Sequence, residues 1–130
     1  MNIYYCKHCK NLVVAINDSG VKMKCCGEDM VKLVPNVEDG AKEKHVPVAK
    51  YEDDKVLVKV GEVEHPMTEE HYIEWIALET PHGFFVKYLT PNSKPEKVFP
   101  LIQGCPSCKS AKKTVYAYCN LHGLYSAEVK

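Results

Sequence analysis

The distribution of cysteine constrains this chain more than any other feature. Seven cysteines fall in two clusters: Cys6, Cys9, Cys25 and Cys26 near the start, and Cys105, Cys108 and Cys119 near the end of 130 residues. The first cluster sits in a stretch of about 35 residues, too short to bury a core that offsets its own chain entropy. Such a segment needs a staple. Cys6-Lys7-His8-Cys9 followed by Cys25-Cys26 offers four thiolates, which suit tetrahedral zinc or a single iron. Metal binding then supplies the folding energy the segment lacks. The adjacent pair Cys25-Cys26 is unusual, because neighbouring residues cannot wrap an ion as a C-x2-C knuckle does. His8, inside the knuckle, reads as a solvated loop residue.

Lysine plus arginine equals aspartate plus glutamate at 17 each, so there is no basic excess to hold a phosphate backbone. Nucleic acid is therefore excluded as a principal partner. No apolar run approaches the roughly 18 residues of a membrane span, and Met1-Asn2-Ile3-Tyr4-Tyr5-Cys6 has neither a basic nor an apolar leader region. The expectation is a soluble, cytoplasmic protein. In a reducing compartment, seven cysteines and six histidines point to metal or redox chemistry before disulfides.

Beyond the turn-forming, acidic segment Pro35-Asn36-Val37-Glu38-Asp39-Gly40 the pattern becomes β. We place domain 1 at residues 1–36 and domain 2 at 37–130. Residues 56–60, 72–78, 84–89 and 114–118 are short β-branched or aromatic runs bounded by Gly, Pro and Asn. Prolines at 47, 66, 81, 91, 95, 100 and 106 forbid any long helix. Short strands at this spacing predict an antiparallel sandwich or barrel.

The histidines of this β region form a second candidate group. His65 and His71 are six apart, about 240° on a helix, so they cannot share a helical face. Pro66 argues for a loop, which can fold both imidazoles onto one point. Val115, Ala117 and Cys119 alternate onto one strand face, so Cys119 points inward and His122 can return to it across a turn. His45, in Glu43-Lys44-His45-Val46-Pro47, is expected in extended chain ahead of the proline. Imidazoles with one thiolate suit iron, copper or zinc. Taken singly, each histidine reads as a surface or core residue sooner than as a ligand, and the two spaced pairs bring those readings level; Glu43-Lys44 by itself reads as a solvated charge pair.

Taken together, these residues resemble desulfoferrodoxin, the two-iron form of superoxide reductase. The matching stretches are Tyr5-Cys6-x-x-Cys9, Cys25-Cys26-Gly27-Glu28-x-Met30, residues 40–48, His65-Pro66-Met67-x-x-x-His71-x-Ile73-Glu74-Trp75-Ile76, and Tyr118-Cys119-Asn120-Leu121-His122-Gly123. They run in the family's order across nearly the whole chain. The resemblance implies a mainly β protein: a desulforedoxin-like domain with iron held by four cysteines, then an immunoglobulin-like β-sandwich with a second iron. It implies His45, His65, His71 and His122 as the equatorial ligands of that iron and Cys119 as the axial thiolate. The sixth position is then open in the ferrous state, with Lys44 beside it to attract superoxide and Glu43 able to occupy it once ferric. A rubredoxin-type electron donor and a homodimer are implied in the same way.

Two features depart from the family pattern. Cys105-Pro106-Ser107-Cys108 has no counterpart there and reads as free thiols, a redox disulfide or half of a metal site. Tyr125 stands where tryptophan is expected. The functional expectation is one-electron reduction of superoxide to hydrogen peroxide. The competing readings are a non-enzymatic iron electron carrier and a zinc-stapled binding module.

Overall fold

Alternation of valine with lysine or leucine in Lys55–Val60 builds a strand with one buried face: Val56, Val58 and Val60 are buried while Lys55 and Lys59 are exposed. The same logic repeats along the rest of the second unit. A computed structural model of the chain describes residues 1–37, 42–102 and 110–130. Cys105 and Cys108 lie outside the described residues. The chain divides into two compact units, Met1–Val34 and Pro35–Lys130.

The first unit is built from short strands. β1 (Asn2–Tyr5) pairs antiparallel with β2 (Leu12–Ala15) on one side and β5 (Val31–Lys32) on the other. β3 (Lys24–Cys25) and β4 (Glu28–Asp29) form a separate hairpin. Of its large side chains only Ile3 and Cys6 are buried among the described residues. That is far too little apolar surface for an independent core.

The second unit is a sandwich of two antiparallel sheets. One has the order β10 (Glu96–Pro100), β7 (Lys55–Val60), β6 (Pro47–Glu52); the other has β12 (Gly123–Glu128), β11 (Thr114–Cys119), β8 (Ile73–Thr80), β9 (Gly83–Tyr88). Ala49, Val56, Val58, Val60 and Phe99 of the first meet Ile73, Ile76, Leu78, Val115, Ala117 and Cys119 of the second in one core. The chain is mainly β, in agreement with the sequence reading. Among the described residues no helix is long and apolar enough to cross a membrane.

Three details place the functional side chains. First, β11 and β8 pair regularly from Thr114↔Glu79 to Tyr118↔Trp75, after which Cys119 opposes Ile73. Glu74 is thus the extra residue of a β-bulge. The inserted residue shifts the alternation, so Ile73 joins Ile76 and Leu78 in the core directly beside Cys119.

Second, His45 is not in extended chain. It closes a single helical turn, α1 (Lys42–His45), in which the Val46 amide donates to the Lys42 carbonyl at 2.9 Å. The proline restriction acts on Val46, the residue directly before it, and leaves His45 free to be helical.

Third, Gly61 sits where the connection after β7 presses on α1. Its amide donates to the Val46 carbonyl at 3.1 Å and the Val63 amide to the Glu43 carbonyl at 3.0 Å. Gly61 has φ 85, and a Cβ there would lie 2.3 Å from the Val63 oxygen and 2.6 Å from the Lys44 oxygen. Backbone atoms on both sides cannot yield as a side chain can. Gly61→Ala should therefore destabilise the protein by about 2 kcal/mol or more, read as a lower urea midpoint. A midpoint within error of the parent would contradict this packing.

Candidate metal centres

In the first unit, the β1–β2 connection forms a knuckle. The Cys6 amide donates to the Asn11 carbonyl at 3.0 Å and the Lys10 amide to the Cys6 carbonyl at 2.9 Å, with Lys10 left-handed at φ 67. The other two cysteines come from the β3–β4 hairpin. Cys25 ends the strand, and Cys26-Gly27 form the two-residue turn, left-handed at φ 54 and 78. Left-handed residues at both turn positions are what a tight hairpin requires. This turn solves the problem of the adjacent pair, because a strand residue and a left-handed turn residue point their side chains differently. The ligand atoms of Cys6, Cys9, Cys25 and Cys26 lie within 4.8 Å of one another, and Cys9 Sγ is 3.5 Å from Cys25 Sγ.

The four sulfurs bias one another's ionisation. Backbone amides of Cys9 and His8 stabilise the Cys6 thiolate against burial and bring its pKa to about 6. The neighbouring thiols of Cys9 and Cys6 push Cys25 up to about 12 and raise Cys26 as well. Four sulfurs this close cannot all ionise unless a positive ion offsets the repulsion. A thiophilic metal fits these donors. The Asn11 side-chain amide approaches Cys25 Sγ at 3.8 Å, while exposed His8 contacts Glu28 at 3.1 Å and takes no part in the sulfur cluster.

The second unit gathers the other group from four separate places. His45 ends α1, His65 and His71 come from the β7–β8 connection, Cys119 ends β11, and His122 lies in the turn before β12. The imidazoles form a four-cornered ring. Centroids are 4.5 Å apart for His45–His65, 4.6 Å for His65–His71, 5.1 Å for His71–His122 and 4.8 Å for His45–His122. Each adjacent pair meets nearly edge-on, at 71° to 86°, and His45 and His71 are opposite corners at 6.0 Å. The ligand atoms of His45, His65, His71 and Cys119 lie within 4.8 Å of one another, and His122 Nδ1 is 3.8 Å from Cys119 Sγ. The buried Tyr125 ring packs 4.8 Å from that of His45.

Two observations test whether a metal fits. His65 Nδ1 lies 2.6 Å from the Pro66 carbonyl, so that nitrogen carries the proton and Nε2 presents its lone pair inward. His65 Nε2 and His71 Nε2 are both buried without a hydrogen-bond partner. Buried imidazole nitrogens without partners are costly, and a metal ion satisfies them. Two of the imidazoles are also held in the neutral, ligating form. Burial lowers His65 to about 4, outweighing the opposing Pro66 carbonyl, and lowers His71, helped by the nearby charges of His122 and Lys44. Burial raises Cys119, opposed by the backbone amides of Leu121 and His122 that stabilise its thiolate.

The family model for desulfoferrodoxin matches residues 37–128. The chain belongs to the desulfoferrodoxin family. Desulfoferrodoxin of Syntrophotalea carbinolica is 43% identical over 128 residues, covering 98% of this chain and 96% of that protein. The superoxide reductase of Pyrococcus horikoshii is 36% identical, covering 78% of this chain and 98% of its own. Among solved structures, the superoxide reductase of Treponema pallidum superposes with a TM-score of 0.74 at 33% identity, covering 98% and 99% of the two chains.

All nine candidate ligands of this desulfoferrodoxin-family chain thus fall into two clusters, one in each unit. Lys44, half-buried, and Glu43, exposed, flank His45 on α1; Lys44 is close enough to bias the titration of His71. His82 joins neither cluster and lies exposed in the β8–β9 turn. Sequence reading did not pick out Gly61, Thr68 or Asn120, which hold ligand-bearing backbone in place; these positions carry no ligand chemistry of their own to signal them.

The burial of His65 has a measurable consequence. Its folded pKa lies below the ordinary value of 6.5, so between about 4 and 6.5 the unfolded chain binds more protons. That contribution to stability is full above about 6.5 and disappears as pH falls towards 4. The urea midpoint of metal-free protein should drop across this window, and His65→Gln should flatten the slope. A slope that the substitution leaves unchanged would contradict the assignment.

Proposed function

We propose that this chain is a superoxide reductase, reducing superoxide by one electron and two protons to hydrogen peroxide. His45, His65, His71, His122 and Cys119 would hold an iron between them. Cys6, Cys9, Cys25 and Cys26 hold a second iron, or zinc, that staples the domain formed by residues 1–36. The observation that carries this reading is the four-imidazole ring beside one buried cysteine, with His65 Nε2 and His71 Nε2 lacking any other partner. Iron bound there would supply the electron, and a rubredoxin-type carrier would restore it.

The chain's own residues account for the rest. Four neutral imidazoles leave the site without negative charge apart from one thiolate, so an anion can approach. Lys44 provides attraction: an ammonium about 5 Å from a monoanion contributes on the order of 3 kcal/mol at an effective dielectric near 20, and less in salt. The backbone amides of Leu121 and His122 work against burial to favour the Cys119 thiolate, which would donate electron density to a bound iron. Glu43, exposed one residue before Lys44, would be the carboxylate able to ligate the iron once oxidised, as the family resemblance implies.

Charge steering acts chiefly on the association rate. Lys44→Ala should lower the second-order rate with superoxide by about tenfold or more at low ionic strength, and the deficit should shrink as salt is added. An unchanged rate at low salt would remove Lys44 from the mechanism. Cys119→Ser should abolish the thiolate-to-iron charge-transfer band while leaving the four-cysteine metal in place; persistence of that band would mean that another residue is the axial ligand.

A further inference from the structure

The residue between Cys119 and the return to His122 is not a passive spacer. The Asn120 amide donates to the Tyr72 carbonyl at 3.2 Å, and the Tyr72 amide donates to Asn120 Oδ1 at 2.9 Å. Asn120 Nδ2 in turn donates to the Glu70 carbonyl at 2.9 Å. Asn120 therefore grips the backbone on both sides of His71, through the residue before it and the residue after it.

From the opposite side the same segment closes on Thr68. The Thr68 amide donates to the His71 carbonyl at 3.0 Å, and the His71 amide lies 3.1 Å from Thr68 Oγ1. Met67 extends the support, accepting from the Ile73 amide at Sδ, 3.4 Å away, and from the Asn92 amide at its carbonyl, 2.7 Å away. Thr68 and Met67 order the segment within itself and against the β9–β10 connection. Of these contacts, those of Asn120 tie the segment to the strand end that carries Cys119.

We propose that Asn120 is a positioning residue that fixes His71 relative to Cys119, so that the two candidate ligands move as one body. The inference rests on the assignment of both residues to one iron. Its physical basis is geometric. His71 stands on a loop, and a loop imidazole wanders unless its backbone is held. Three hydrogen bonds from one residue hold that backbone at two points, and the same residue is covalently joined to Cys119. Outer groups that orient a ligand are worth about 10- to 100-fold in metal affinity.

The test compares the iron-loaded full chain with Asn120→Ala and Asn120→Asp by three readouts: hydrogen exchange at the Tyr72 amide, the energy of the thiolate-to-iron band, and iron release to an excess of a ferrous chelator. In Asn120→Ala, Tyr72 exchange should speed at least about tenfold, the band should shift, and iron release should quicken by about 10- to 100-fold. Asn120→Asp keeps the acceptor for Tyr72 but loses the donor to Glu70, so its release should fall between the two. A lower melting temperature with band and release unchanged would overturn the proposal, because a purely structural role moves only stability. Should the alanine variant not fold, wild-type release from the aspartate variant would overturn it equally. Absence of the band from the wild-type holoprotein would instead overturn the iron assignment itself.

Discussion

The second unit is organised around an electrostatic debt. Two imidazole nitrogens, His65 Nε2 and His71 Nε2, are buried without partners, and a cysteine lies within reach of both. Such groups call for a donor or an ion to complete them, and a metal ion would complete both at once. The surrounding features serve that requirement. The bulge at Glu74 fills the space beside Cys119 with Ile73, and the turn before Gly123 returns His122 to within 3.8 Å of the sulfur. Gly61 lets the chain press against α1 closely enough to seat Lys44 and His45.

The two clusters solve different physical problems. The four-cysteine group answers a missing core: so little of the first unit is buried that a metal bound there would supply folding energy its apolar side chains do not. The histidine group needs no such help, because the sandwich beneath it has its own apolar interior. It is therefore free to gather polar groups: four imidazoles, one cysteine whose burial the Leu121 and His122 amides partly offset, and Lys44 on the adjoining turn. The polar cost of that arrangement falls on a fold stable enough to carry it.

Much of this was legible in the sequence. The Cys6-x-x-Cys9 and Cys25-Cys26 groups, the mainly β character, and the inward direction of Cys119 followed from spacing and alternation. The strands it missed have physical reasons. β6 starts at Pro47 and β10 ends at Pro100, and both are edge strands, where proline costs no ladder bond. β12 contains Gly-Leu-Tyr-Ser-Ala-Glu and has no β-branched residue to announce it. The helical turn at His45 was misread because a restriction on Val46 was extended one residue too far. The parts played by Gly61 and Asn120 were hidden for another reason: both act between segments distant in sequence, Gly61 by close backbone approach and Asn120 through its side-chain amide, which no local pattern encodes.

The central claim is that the histidine–cysteine cluster holds a redox-active iron. The most direct test is the iron and zinc content per chain of protein purified without air. The account predicts two metal ions per chain, at least one of them iron. Zinc in both sites, with no iron and none taken up on anaerobic reconstitution, would contradict it.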